Sequence, residues 1–433
     1  MPVNFSRLFE PKSLAVIGAS ELKGAGAAFS NEFRILAENA QKLKKKIYIA
    51  DINQKLPGAI KLGKIPKGID LAVVALPKEL LSKNLGKILT KKVGTLVLTE
   101  EEVDAKVEKL LAKKKVTILG AGSFGVMNPK AGLAVVPESI PSIRPGGISV
   151  ISGGRASTIN IIGRAKSWGI GIAKLASAGD GLWIDQAELI HHLASDKETR
   201  VICIFIDDVK DGRMLMSAVK GASVKKPVVV MKCGPPDKVF EGAITQSGGI
   251  LAESFGDMLG GAVALEKFSG MSATRVALVA ALEEEAKLVA GQMLKEGLEL
   301  AKPSEETFKK ISNKCRGAKM EGWVCLGSAA DADDYKNAIK EVLSDDSVDG
   351  VMVACSGTVA LAPGDYSKIA EDAGKSKEKP VVMVVDVRSG AVARESLGEK
   401  SAPIFWSERL AAIALKMLKL RRDIVELRGM AAE

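Results

Sequence analysis

Residues 13–33 read SLAVIGASELKGAGAAFSNEF, and the fold turns on them. An apolar run from Leu14 to Ile17 stops at Gly18. A loop bearing Gly24 and Gly26 follows, and a helical stretch begins near Ala27. Strand, glycine loop and helix in that order open a doubly wound α/β unit. The glycines let the backbone approach a phosphate, and the helix N-terminus supplies N–H groups that have no partner inside the helix. The spacing is not the strict GxGxxG fingerprint. Asp51, the acid at the next strand end, also lies further on than the roughly 20 residues that fingerprint expects. NAD(P) is thereby weakened as a ligand, while another phosphate-bearing nucleotide remains open.

Outward from this unit the pattern repeats. KIYIAD (46–51), IDLAVVAL (69–76), TLVLT (95–99) and VTILGA (116–121) read as further strands, separated by amphipathic stretches. Their apolar residues run continuously rather than alternating, which predicts a parallel sheet covered on both faces. The stretch PESIPSIRPGG (137–147) marks a boundary. A second block follows with GISVIS (147–152), GIAKLAS (171–177), VICIFID (201–207) and PVVVMKC (227–233). A third starts near Thr274 with RVALVAA, GWVCLGS, DGVMVAC and PVVMVVD. The later blocks share a lysine–proline entry into a valine run, KKPVVVMKC and KEKPVVMVVD. The expected architecture is α/β: a Rossmann-like domain over 1–130, then two flavodoxin-like doubly wound domains over 140–271 and 273–433. A chain of 433 residues suits about three domains of roughly 130–150 residues.

The formal charge is +10, much of it in KLKKK (42–46) and KKK (113–115). These runs lack interleaved aromatics, so nucleic-acid binding is not expected. A solvated basic surface fits, with a bias toward small anions. No apolar run approaches the ~20 residues of a membrane span, and the N-terminus lacks a signal peptide's apolar core. The five cysteines show no CxxC spacing, which suits free thiols in the cytoplasm. No metal site is expected.

Chemistry is sought in the loops. DINQK (51–55) and ILGAGSFGVMNP (118–129) each follow a strand, and ligands of open α/β sheets bind at the carboxyl ends of strands. EGAITQSGGILAES (241–254) reads as a polar, glycine-bearing loop whose backbone N–H groups face an anion at a helix N-terminus. Thr245 and Ser247 are unassisted hydroxyls, and Gln246 between them is an amide that cannot take a phosphoryl group. His191 and His192, the only histidines, sit in an apolar helical pattern as partly exposed helix residues. No Gly-x-Ser-x-Gly elbow occurs.

The ordered set IGAS, INQK, DLAVVALP, LGAGSFGVMNP, HLASDKETRVICIFIDDVKDGR and KKPVVVMKCG, followed by the 241–254 stretch, resembles the CoA-binding half of NDP-forming acyl-CoA synthetases. That group includes the α subunit of succinyl-CoA synthetase and the ADP-forming acetate–CoA ligases. The resemblance covers essentially the whole chain and is loosest in the third block. It implies coenzyme A contacts at Gly18, Ala19, Ser20 and Gly26, at Asn53 and Lys55, and at Pro77. It implies a phosphate loop at Thr245, Ser247 and Gly248, with Gln246 where the family carries its phosphohistidine. Asp207 stands where the family has the glutamate that orients that histidine. The family's Ser-Gln-Ser-Gly matches Ser152-Gly153-Gly154-Arg155, and its Pro-Asn pair matches Ala121-Gly122. The implied partners are CoA or acyl-CoA and an ATP-grasp β subunit that brings ATP or ADP and Mg²⁺, in a homo- or hetero-oligomer. Two readings of function stay open: a CoA or acyl-CoA binder without catalysis, or with altered chemistry, and an active acid–thiol ligase component. An NAD(P)-dependent oxidoreductase is a further alternative.

Overall fold

A computed structural model describes residues 4–113, 116–138, 143–355, 358, 360–386 and 401–429. The chain forms two compact units, Met1–Gly249 and Ile250–Glu433.

The first unit holds two sheets. One is wholly parallel, with the strands in the order Lys46–Asp51, Ser13–Gly18, Leu71–Ala75, Thr95–Leu98, Thr117–Leu119. Its central strands are buried along their length, as continuous apolar runs demand. The order reverses between Ser13–Gly18 and Leu71–Ala75, and a doubly wound sheet opens a crevice at that point. The helix Ala27–Gln41 returns over the sheet. Gly18 is a glycine because of that return: a Cβ there would lie 2.2 Å from the Phe33 ring.

The second sheet carries Val228–Lys232, Val201–Ile206, Pro145–Ser152 and Ile172–Ser177 in that order, all parallel. Its order reverses between Pro145–Ser152 and Val201–Ile206. The strands Val126–Asn128 and Leu133–Val135 form an antiparallel pair, and the first of them pairs with Ile172–Ser177. Residues just before position 130, read as the end of the first block, therefore belong to the second sheet.

The second unit is built on a third sheet. Val324–Cys325, Arg275–Ala280, Gly350–Ala354, Val381–Val384 and Ile404–Phe405 are parallel neighbours. The two lysine–proline runs give Val228–Lys232 and Val381–Val384, which hold equivalent places beyond the reversal point of their sheets. The helix Glu408–Leu427 packs along Phe255–Lys267. Arg409 bridges to Asp257 at 2.8 Å and to Glu296 at 3.4 Å.

All five cysteines are free, and no described helix is long and apolar enough to cross a membrane.

Candidate functional site

Two sets of loops meet the criteria for a ligand site, and both belong to the first unit. The first surrounds Asp51. This carboxylate ends the strand Lys46–Asp51 and is fully buried. Its Oδ1 accepts the backbone N–H groups of Ser20 and Asn53, both at 3.0 Å. Its Oδ2 accepts those of Lys55 and Leu56, both at 2.8 Å, and the Ser20 hydroxyl. Burial alone raises the Asp51 pKa, but the Ser20 hydroxyl and the converging N–H groups outweigh it and hold the carboxyl below its usual range. Asn53 Nδ2 donates to the Ser20 carbonyl, and Lys55 pairs with Glu21 at 2.6 Å. One side chain thus welds the 18–22 turn to the 51–56 turn. With both oxygens filled, Asp51 has none left for a ribose, which counts against a dinucleotide reading of this strand end.

Gly18, Ala19, Ser20, Asn53 and Lys55 are therefore brought together. Gly26 caps the helix Ala27–Gln41, and no side chain satisfies its first N–H groups. A Cβ on Gly24 would meet open space. The 3₁₀ turn Gly24–Gly26 runs into this helix, and the Ala27 N–H bonds the Gly24 carbonyl; an open glycine beside a helix N-terminus suits a pyrophosphate. Pro77 sits at the start of the helix Lys78–Leu89, beyond the adjacent strand Leu71–Ala75 and at the same edge of the sheet.

The second set opens where the order of the second sheet reverses. A cleft of about 400 Å³ is lined there by Gly122, Gly153, Gly154, Asp180 and Asp207, among others. Gly153 and Gly154 precede the helix Arg155–Ser167, whose N-cap Gly154 offers no side-chain hydrogen bond. Asp208, Lys210, Asp211 and Glu101 also line it. Burial pushes the Asp180 carboxyl up, partly offset by the Leu182 N–H and by Lys210. Among the described residues, no histidine, cysteine, serine or threonine lines the cleft. It can hold and orient a ligand through backbone and charge, and its titratable side chains are carboxylates and Lys210.

The reading of 241–254 as an anion loop at a helix N-terminus is corrected. Lys238–Gln246 is a helix, so Thr245 and Gln246 form its last turn. The N–H of Ser247 bonds the Ala243 carbonyl at 3.0 Å. Those of Gly248 and Gly249 bond the Thr245 and Ile244 carbonyls, both at 2.9 Å. Gly248 takes φ +77°, the left-handed turn that closes many helices. The donors that would have cradled phosphate at Ser247 and Gly248 are spent on the helix. Gln246 is exposed and is not among the cleft residues.

Sequence spacing did not point to the pair that joins the two regions. Arg155 bonds Glu32, a residue of the helix Ala27–Gln41, and lies over the Phe124 ring at 5.0 Å. The visible signal was a lone arginine after a glycine pair. Its partner lies 123 positions away.

His191 is exposed, whereas His192 is half-buried and stacks on Phe5 and Phe9 with ring centroids 4.5 and 5.6 Å apart. Neither histidine lines the cleft.

These features define a chain of doubly wound α/β sheets with ligand loops at the strand ends of two successive sheets. Residues 145–238 match the succinyl-CoA ligase like flavodoxin domain. Among characterised relatives, the chain is 26% identical to the acetate–CoA ligase (ADP-forming) I subunit alpha of Pyrococcus furiosus, covering 96% of this chain and 97% of that one. It is 27% identical to the isoform II subunit alpha of the same organism, over 80% and 81%. A crystal structure from Pyrococcus horikoshii OT3 superposes with a TM-score of 0.86 at 25% identity, over 98% of this chain and all of that one. A dinucleotide-forming acetyl-coenzyme A synthetase 1 from Ca. Korarchaeum cryptofilum, in complex with phosphate and ADP, shares the fold at TM-score 0.82 and 21% identity, over 99% of this chain and all of that one. The chain is a homologue of the α subunits of ADP-forming acyl-CoA synthetases.

Proposed function

We propose that this chain is a CoA- or acyl-CoA-binding component of the acyl-CoA synthetase type, without the phosphohistidine relay. In this reading the modules are 1–130, 140–271 and 273–433. The first takes coenzyme A along Gly18–Ser20, Gly26, Asn53, Lys55 and Pro77. The observation that carries the reading is a contrast between two sites. The turns welded by Asp51 stand beside a helix N-terminus that no side chain caps. At Gln246, in contrast, an unreactive amide stands on the exposed last turn of a helix. ATP or ADP and Mg²⁺ enter through a separate ATP-grasp β subunit in a hetero-oligomer. The transfer of a phosphoryl group through residue 246 is lost, because an amide nitrogen is not a nucleophile.

Isothermal titration with CoA and acetyl-CoA tests this. Saturable heat in the micromolar range is expected, and none at millimolar ligand would sink the reading. The names of the relatives favour a second reading, an active acid–thiol ligase component. Acyl-CoA formed from carboxylate, CoA and ATP with a cognate β subunit would establish it over the first.

A further inference from the structure

We propose that the edge of the first sheet at which its strands begin is a peripheral docking surface for an anionic lipid bilayer. Residues 1–130 hold 23 of the chain's 62 lysines and arginines but 12 of its 52 acids, so this block carries the chain's whole formal excess of +10. The fold then sorts these charges. Glu21, Asp51, Glu79, Glu101 and Asp104 lie at strand ends or helix starts, on the edge that carries the Asp51 turns. Lysines collect at the other edge. All five strands are parallel, so their starts form one line about 19 Å long, at about 4.8 Å per strand. In sheet order, Lys46 opens the first strand, Lys12 precedes the second, and Lys67, Lys92 and Lys113 stand in the turns before the other three. All five lysines are exposed. The Gly68 N–H bonds the Lys91 carbonyl at 2.7 Å, which fixes the turns of Lys67 and Lys92 side by side.

The chain does not answer this row itself. Asp70, before the middle strand, accepts the N–H groups of Lys12 and Ser13 at 2.9 and 3.2 Å and pairs with Arg7 at 3.7 Å. Among the described residues none of the five lysines makes an ion pair. The helices Ala27–Gln41, Lys78–Leu89 and Ala105–Ala112 end at this edge, and each brings about half a negative charge. Most of the row stays uncompensated, and crowded like charge works against the compact state until a partner neutralises it. The residue types favour one partner. Protein hot spots rely on Trp, Tyr and Arg, lysine is depleted from protein interfaces, and single-stranded nucleic acid is held on aromatic platforms. Arg7, the arginine at this edge, is engaged by Asp70, and the large exposed apolar side chains all lie outside this sheet's residues. A line of strongly hydrated point charges, with no anchor of fixed geometry, matches a diffuse planar anion such as a headgroup layer. With a single electrostatic signal the contact is reversible, and it leaves the Asp51 turns on the far edge in solvent.

The full chain is sedimented with vesicles of phosphatidylcholine alone and of phosphatidylcholine with about one-third phosphatidylglycerol, at about 0.1 M and about 0.5 M salt. Partition onto the anionic vesicles at the lower salt, little onto the neutral ones and loss at the higher salt are expected. Each lysine near such a surface contributes about fivefold. The quadruple variant Lys12→Gln, Lys46→Gln, Lys92→Gln, Lys113→Gln is therefore expected to partition at least about a hundredfold less. An equal charge loss elsewhere, Lys309→Gln, Lys319→Gln, Lys340→Gln, Lys377→Gln, should lower it by less than about threefold. Thermal melts confirm that both variants fold. No partition of the wild-type chain onto anionic vesicles, or equal losses in the two variants, overturns the proposal. Duplex RNA or poly-L-glutamate of matched charge held by this edge more tightly than the vesicles assigns it to another polyanion and overturns it as well.

Discussion

The carboxylate of Asp207 lies against the backbone of Gly153. A Cβ at Gly153 would come within 2.5 and 2.6 Å of its two oxygens. The strand end at 207 and the turn before the helix Arg155–Ser167 are therefore in contact, and both line the cleft. Gly153→Ala is expected to push the exposed Asp207 carboxylate aside and to destabilise the chain by about 1 kcal/mol or less. Adding Asp207→Ala should recover most of that loss. Denaturant midpoints of the two single variants and the double variant give the coupling directly, and additive losses would show that the two positions are independent.

Asp51→Asn probes the weld between the first two ligand turns. Asparagine keeps one acceptor oxygen but turns an NH₂ toward the N–H groups of Lys55 and Leu56 or of Ser20 and Asn53. A loss on the order of 3 kcal/mol is expected. The pH dependence has a definite sign. The folded carboxyl sits below its ordinary 3.8, so its contribution is complete above that value and is lost as pH falls through the folded pKa. Acid titration of stability should show a shallower limb in Asp51→Asn than in the wild-type chain. CoA binding, where present, should weaken alongside.

Lys174 is 2% exposed and bridges Asp196 at 2.8 Å and Glu198 at 3.1 Å. Glu198 has a second cation in Lys130, at 2.9 Å, but Asp196 has no other ion pair among the described residues. Lys174→Ala leaves a half-buried carboxylate without its cation and should cost about 3–5 kcal/mol. Lys174→Met, which fills the space without the charge, should cost less than Lys174→Ala. Thermal melts of both variants check the order, and equal losses would mean that packing alone sets the cost.

His192 stacks on Phe5 and Phe9 with its Nε2 buried and unpartnered. Burial lowers its pKa; Asp196 opposes that shift, while Lys174 and Lys226 reinforce it. The unfolded chain takes up this proton first, so the packing is fully stabilising above the ordinary 6.5 and weakens as pH falls below it. Urea midpoints at about pH 7.5 and about pH 5.5 should fall further for the wild-type chain than for His192→Phe. Equal falls would remove His192 from the pH response.

Much of the fold was legible because a buried parallel strand announces itself as an unbroken apolar run: KIYIAD became the strand Lys46–Asp51 without change of boundary. The pair Val126–Asn128 and Leu133–Val135 was not, because short strands after a glycine-rich loop carry no such run. The 241–246 stretch misled for a different reason. Thr245, Ser247 and two glycines have loop character, but Val239, Phe240 and Ile244 sit at helical spacing, and the helix ends at the glycines rather than starting beyond them. The Asp51 turns were readable as candidate ligand loops, while the buried carboxylate that organises them looked like a misplaced fingerprint acid. The Arg155–Glu32 pair was out of reach, since its members lie on helices of different sheets.

Restoring the imidazole tests what the 246 position can still do. Gln246 ends the helix Lys238–Gln246, at the negative end of the helix dipole. A phosphoryl group placed there meets repulsion rather than donors, because the N–H groups of Ser247, Gly248 and Gly249 already bond helix carbonyls. Gln246→His alone is therefore expected to remain unphosphorylated when the chain is incubated with acetyl phosphate. The readout is acid-labile, base-stable phosphate by intact mass. Stoichiometric labelling of the variant would show that this segment rearranges into a phosphate-binding form.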